Sequence, residues 1–345
     1  MIAVDFFCGA GGLTRGLLDA GIQVVLGIDD DESCKETYEV NNYPATFLKA
    51  DIVKLEFDEV RNHLVGVDPE NLLFAACAPC QPFSQLNRNE NKDDRATLLG
   101  RFARFIEAFQ PKYIFLENVP GLSKVRGSST HKRFLEMLRR RGYNFDDGIV
   151  NAKSYGVPQS RRRYVLIAVR GAIPFLPAYT HGNSEGLIPF ETVENAIRRY
   201  PHIEAGESHP TVPNHTAASI IPRNLERLIH TPEDGGDRRD WPKHLWLKCH
   251  SGEHTGHTDV YGRMRWNLPA PTLTCKCISI SNGRYGHPTE HRAISLREAA
   301  SLQSFSDEYI FYGESPTKLA AHIGNAVPVK MAQRFGEYLL SVATE

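Results

Sequence analysis

The chain has 345 residues, 41% hydrophobic and 23% charged, enough for one large domain or two ordinary ones with a substantial core. No apolar run reaches the ~18 residues of a membrane span, and the opening MIAVDFFCGAGG lacks the basic start of a secretory signal. Seven cysteines without such a signal point to reduced thiols in a cytoplasm rather than a disulfide framework.

The first element is the apolar run MIAVDFFCG, which ends in glycine like a buried parallel strand entering a turn. GLTRGLLDAG follows as a helix stopped at Gly21. IQVVLGIDDD reads as a second strand ending in acids, ESCKETYEVNNY as a helix, and ATFLKADI as a third strand. NLLFAACAPC is a fourth strand that opens into a polar loop. TLLGRFARFIEAFQ is an amphipathic helix with Pro111 just beyond it, and KYIFLENV is a fifth strand. HKRFLEMLRRRGY reads as a helix and RRYVLIAV as a further strand. Strands and helices alternating at this pitch predict an α/β fold with a doubly wound, mostly parallel sheet. Ligands of such sheets sit beyond the carboxyl ends of the strands, which here carry CGAGG, DDD, KADI, APCQPFS and ENVPG.

After Val169 the composition shifts. Residues 171–260 are rich in Pro, Gly and His and weak in periodicity, as expected of a separate, smaller, loop-rich domain. Order returns at LPAPTLTCKC, then a helix LREAASLQSF and one strong final helix, LAAHIGNAVPVKMAQRFGEYLLSVA. The expected division is 1–170, 171–262, and 263–345 returning to complete the first domain.

The net charge of −1 argues at first against a nucleic-acid partner, but the distribution does not. Residues 1–70 hold 14 acids and 5 bases, whereas 122–170 hold 12 bases and 3 acids. A basic centre in a neutral chain suits a protein that grips phosphates with one face.

Glycines at 9, 11 and 12 lie between a strand and a helix, where backbone can approach a ligand and helix N–H groups are available. Position 14 is Thr, so the strict dinucleotide pattern is absent. The acids Asp29, Asp30 and Asp31 end the second strand, placed to bind ribose hydroxyls. Together these features favour a nucleoside-bearing cofactor. The C-x-x-C of Cys77 and Cys80 admits a redox dithiol, half of a zinc site, an inert pair, or one working cysteine. Cys77 falls inside the apolar strand, as a packing residue would, whereas Cys80 lies past Pro79 at the strand tip. Glu117 ends the next strand and should point into the same cleft. A thiolate with a neighbouring carboxylic acid suits attack on an electron-poor heterocycle, the acid bonding to a ring nitrogen. Arg161 and Arg163 alternate at a strand start, hence on one face, where they can hold an exocyclic oxygen and phosphates.

In this order, DFFCGAGG, APCQPFS, ENV, QSRRR and HIGNAVP resemble motifs I, IV, VI, VIII and X of the DNA (cytosine-5)-methyltransferases, over 1–170 and about 263–345. The resemblance implies a Rossmann-like S-adenosylmethionine-dependent methyltransferase of the bacterial or phage modification type. It implies that Cys80 adds to C6 of a flipped-out cytosine, that Glu117 contacts N3 and the amino group, and that Arg161 and Arg163 are the motif VIII arginines, Arg163 near the base oxygen. The base that removes the C5 proton is not identified. For the cofactor, Phe7 would stack on adenine, Asp29 would bind ribose, and Asp51 with Ile52 would flank the adenine. Gly9, Gly11, Gly12, Pro79, Leu98, Asn325 and Val327 complete the implied cofactor contacts. Asp30 stands where the family often has an aromatic. Residues 171–262 would be the target recognition domain, and QLNRNENKDDRA after Cys80 would be a lid over the flipped base. The implied partner is double-stranded DNA, the enzyme serving either in a restriction-modification system with a separate cognate restriction endonuclease or as an orphan methylase, and the expected enzyme is a cytoplasmic monomer requiring no metal. Cys249, His250, His254 and His257 fit no structural zinc spacing. Rival readings are a tRNA cytosine-5 methyltransferase, whose Cys-Phe-Thr tripeptide is absent from the sequence, and a Cys77–Cys80 dithiol oxidoreductase.

Overall fold

A computed structural model describes residues 1–78, 96–124, 129–247 and 259–344. They form two compact units: Met1–Tyr155, Arg162–Tyr179 and Val327–Glu345 make the first, and Gly156–Arg161 with Thr180–Ala326 the second. Among the described residues no helix is long and apolar enough to cross a membrane.

The first unit runs β1 (Ile2–Phe6), α1 (Gly12–Asp19), β2 (Gln23–Asp29), α2 (Lys35–Asn42), β3 (Thr46–Lys49), α3 (Phe57–Arg61), β4 (Leu72–Cys77), α4 (Ala96–Phe109), β5 (Tyr113–Asn118), α5 (Gly121–Lys124), α6 (Ser129–Arg140), β6 (Tyr143–Asn151) and β7 (Arg162–Arg170). The strand order is β3-β2-β1-β4-β5-β7-β6. Strands β1 to β5 are parallel, and β7 runs antiparallel to both β5 and β6. The central strands are continuous apolar runs because both faces are covered. On one face Phe6, Phe74 and Leu116 pack with Phe102, Phe105 and Phe134 of α4 and α6. On the other, Phe115 meets Phe335 edge-on at 5.4 Å. Gly16 lets α1 lie against the last helix so closely that a Cβ there would stand 2.5 Å from Ala332 Cβ.

The second unit carries α7 (Val193–Ile197), α8 (Pro222–Ile229), α9 (Leu296–Leu302) and α10 (Pro316–Asn325), and α11 (Val329–Thr344) returns to the first. Among its described residues, Leu228, Trp241, Leu245, Tyr261, Ile280 and Ala293 form one apolar cluster. Buried polar ties supplement it. Arg263, fully buried, donates to the carbonyls of Leu228, Thr231, His287 and Glu290. Buried carbonyls of irregular chain must find donors, and one guanidinium supplies several. Arg292 and Glu298, each 1% exposed, form a two-pronged pair at 2.7 and 2.8 Å.

Three expectations change. The strand β6 was not visible in YNFDDGIVN, because an edge strand with one open side tolerates Asp146 and Asp147 and shows no alternation. The single final helix is two, α10 and α11, because Pro328 lacks an N–H and its ring obstructs the preceding turn. The last strand is antiparallel, a direction that its apolar run does not encode.

Candidate active site

The parallel strands end on one edge, and the order reverses beside β1, which lies between β2 and β4. A crevice forms at such a switch point. Here the chain leaves β1 through Phe7 in the left-handed region, φ 61°, a conformation unusual for a bulky residue. Gly9 and Gly11 follow at φ 50° and 86°, and Gly12 begins α1. Among the described residues, a Cβ placed on Gly9 would meet nothing within 4 Å.

The second strand aims an acid at this loop. Asp29 Oδ2 accepts from Gly9 N at 2.8 Å and Oδ1 from Asp31 N at 3.0 Å, while Asp29 O accepts from Ala50 N at 2.8 Å. Burial pushes its pKa up, against the pull of those two N–H groups. A carboxylate has about four acceptor positions, so two fixed backbone donors orient it and leave capacity for two hydroxyls. Asp30 beside it is exposed, as is Asp51, whose Oδ1 accepts from Val53 N at 2.9 Å, whereas Ile52 is buried. Leu98 packs half-buried against the main core, and Val327 is buried in the first unit. Asn325 is the exposed last residue of α10 in the second unit.

A residue missed in the sequence supports this loop. Asp5, fully buried near the end of β1, accepts from Thr14 Oγ1 at 2.7 Å, and that hydroxyl lies 2.9 Å from Tyr38 Oη. Burial raises the Asp5 pKa from 3.8 to about 7. A lone acid in an otherwise apolar strand was the available signal.

The second cluster is a row across three strands. Cys77 of β4 pairs with Glu117 of β5, and Glu117 pairs with Val165 of β7, which puts Arg163 on the same face two residues along. Glu117 is 2% exposed. Its Oε1 lies 2.8 Å from Arg163 Nε in an ion pair, and its Oε2 accepts from Cys77 Sγ at 2.9 Å. Cys77 is therefore half-buried and engaged with the acid, not the inert packing residue expected. Asn118, one residue on, points to the opposite face, where its Nδ2 donates to Ala78 O at 3.0 Å and its Oδ1 accepts from Val119 N at 2.7 Å. It thereby fixes the end of the segment that leads to Cys80.

Arg161 does not share the row with Arg163. Strand β7 begins at Arg162, and Arg161 belongs to the second unit, 2% exposed, with Nη1 donating to Leu273 O and Gly324 O at 2.9 Å each. Pro79, Cys80, the lid QLNRNENKDDR and the cluster Cys249, His250, His254 and His257 lie outside the described residues.

A buried carboxylic acid held beside an arginine can bind a ring nitrogen and its amino neighbour, and in sheets of this kind ligands sit at the switch point, here beside β1. Comparison with known proteins agrees. The family model for C-5 cytosine-specific DNA methylase matches residues 1–341. The chain is similar to the Type II methylase M.HgiDII of Herpetosiphon aurantiacus, 37% identical over 96% of this chain and 92% of that protein. It is 31% identical to the Type II methyltransferase M1.HphI of Haemophilus parahaemolyticus, over 99% of this chain and 87% of that one. A solved structure described as a DNA modification methyltransferase encoded within an Escherichia coli prophage shares the fold, with TM-score 0.78 at 21% identity and full coverage of both chains. The chain belongs to the C-5 cytosine-specific DNA methylases, S-adenosylmethionine-dependent enzymes that act on cytosine in DNA.

Proposed function

We propose that this enzyme methylates C5 of one cytosine within a specific duplex sequence, as the modification partner of a separate restriction endonuclease. The relatives are named as Type II methylases, which supports that pairing. The observation that carries the catalytic reading is the Cys77–Glu117–Arg163 row, with Asn118 anchoring the strand exit that leads to Cys80.

In this reading Cys80 is the nucleophile. Its thiolate adds to C6 of the cytosine, and the ring's electron pair moves to C5. Glu117 hydrogen-bonds to N3 and the amino group, which makes the ring accept that pair more readily. Arg163 holds Glu117 in place and faces the base oxygen, whereas Arg161 ties the start of the motif to the carbonyls of Leu273 and Gly324. Once C5 carries the new methyl group, a base removes the C5 proton and the thiolate leaves. C5 and C6 are stacked inside a duplex, so the target must first be flipped out, at a cost of about a few kcal/mol.

The cofactor, when bound, supplies an electrophilic methyl group. The glycine-rich turn at Gly9, clear of other described residues, and the fixed carboxylate of Asp29 fit a nucleoside-bearing molecule. Asp29 would take the ribose hydroxyls, and Phe7, Asp51 and Ile52 the adenine. Gly9, Gly11, Gly12, Asp30, Pro79, Leu98, Asn325 and Val327 complete the assigned contacts. Residues 171–262 would read the target sequence, and the enzyme would act as a cytoplasmic monomer on one base at a time.

The test is a mechanism-based trap. Duplex DNA carrying 5-fluorocytosine at the target, with S-adenosylmethionine, should yield a denaturation-resistant adduct that Cys80→Ser abolishes. Tritiated cofactor with duplex DNA or tRNA identifies the nucleic acid. Absence of an adduct at a site that accepts label would overturn the covalent route.

A further inference from the structure

We propose that Cys77 is a positioning residue for Glu117, holding the carboxylate in the plane that a cytosine edge requires. The proposal rests on the reading of Glu117 as the group that contacts the base. It starts from the pairing of β4 with β5, which places Cys77 directly beside Glu117 on the same face. Neighbouring strands lie about 4.8 Å apart, so adjacent side chains on one face meet without reaching. The thiol uses this proximity to donate to Oε2 at 2.9 Å, while Arg163 stands 2.8 Å from Oε1. The thiol's hydrogen bond to one oxygen, with the Arg163 charge beside the other, disfavours rotation about the terminal bond of the glutamate. That bond is a soft, two-fold torsion with no strong preference of its own.

The residue type matters. A thiol is a weak donor. It can hold an oxygen of the free enzyme and still yield or share it when the amino group of a base arrives. An alanine would leave Oε2 without this donor and the carboxylate free to turn. A serine keeps a donor at the same place. Cys77 itself forms no bond to substrate in this scheme, and its proton stays on sulfur.

Single-turnover methylation of a cognate duplex by the full chain tests this. Cys77→Ala should lower the rate constant about tenfold with KM for DNA changed less than about twofold, the scale of one lost hydrogen bond. Cys77→Ser should recover most of the loss. In a Glu117→Gln background, Cys77→Ala should cost nothing further, because Cys77 acts only through that carboxylate. Equal activity of Cys77→Ala and wild type, failure of serine to rescue, or multiplication of the two losses would each overturn the proposal. Full activity of Glu117→Gln would instead withdraw the reading of Glu117 itself. Should Cys77→Ala fail to fold, infrared spectroscopy supplies a readout independent of activity. The S–H stretch of Cys77, isolated as wild type minus Cys77→Ser, should lie low and broad and shift upward in Glu117→Gln. An unshifted band overturns the proposal.

Discussion

Replacing Asp5 by Asn removes a carboxyl that is fully buried, accepts from Thr14 at 2.7 Å, and has its pKa pushed by burial from 3.8 to about 7. The folded chain therefore holds this proton more tightly than the unfolded chain. The stability so conferred is fully present below 3.8, falls as the pH rises toward about 7, and stays lost above it. Each decade of difference is worth about 1.36 kcal/mol, which sets a ceiling of about 4 kcal/mol at neutral pH. Proteins screen buried charge better than a dry medium does, which lowers the expected cost to about 1–3 kcal/mol. Asn is neutral and keeps an oxygen for Thr14. Asp5→Asn should therefore be more stable than wild type by about 1–3 kcal/mol at pH 8, an advantage that shrinks steadily between pH 7 and 5. Urea unfolding followed by circular dichroism at several pH values gives the difference directly. Other titrating groups, such as His287, cancel in the subtraction. A difference that stays constant across this range would refute the reasoning, because it would mean that Asp5 is charged at low pH or exposed to water.

Gly16→Ala places a Cβ 2.5 Å from both Ala332 Cβ and Val329 O, so α1 and α11 must part, at about 1–3 kcal/mol, read as a lower midpoint in urea. Glu298→Gln strands the buried Arg292 with only part of its charge compensation, and should cost about 3–5 kcal/mol by the same assay. Burial opposes ionisation of Glu298, but Arg292 and its other partners hold its pKa down to about 2. That stabilisation is present above about 4.5 and lost as the pH falls toward 2, so the variant should lack this part of the acid limb. Arg163→Lys keeps a charge but loses the planar Nε beside Glu117, and single-turnover methylation should slow about 10- to 100-fold with DNA binding little changed.

What the sequence made legible follows from burial. Strands β1, β2, β4 and β5 read as apolar runs because both faces are covered, whereas β6 has an open edge and no such run. Asp29 was legible because its position at a strand end is enough to aim it. Asp5 was not, because only the distant hydroxyls of Thr14 and Tyr38 give its carboxyl a place. The two arginines were expected together by counting alternate residues, but strand geometry begins only at Arg162 and cannot be extended back to Arg161. The second unit was opaque for a related reason. Its order depends on side chains such as Arg263 reaching carbonyls about thirty positions away, which leaves no periodicity.

The tripeptide Glu117-Asn118-Val119 shows how little sequence a site of this kind needs once the sheet exists. Successive residues of a strand face opposite sides, so the acid and the amide cannot serve the same cavity. Glu117 turns to the row with Cys77 and Arg163, where burial makes a partner necessary, since an isolated buried charge would be prohibitively costly. Asn118 turns the other way and ties Ala78, the last described residue before Pro79 and Cys80. One strand end thus fixes both the acid and Ala78, where the chain leaves β4. Their relative placement is then set by the β4–β5 register, and a slip of one residue would exchange the two roles. Both roles are thereby tied to the parallel pairing of two strands buried on both faces.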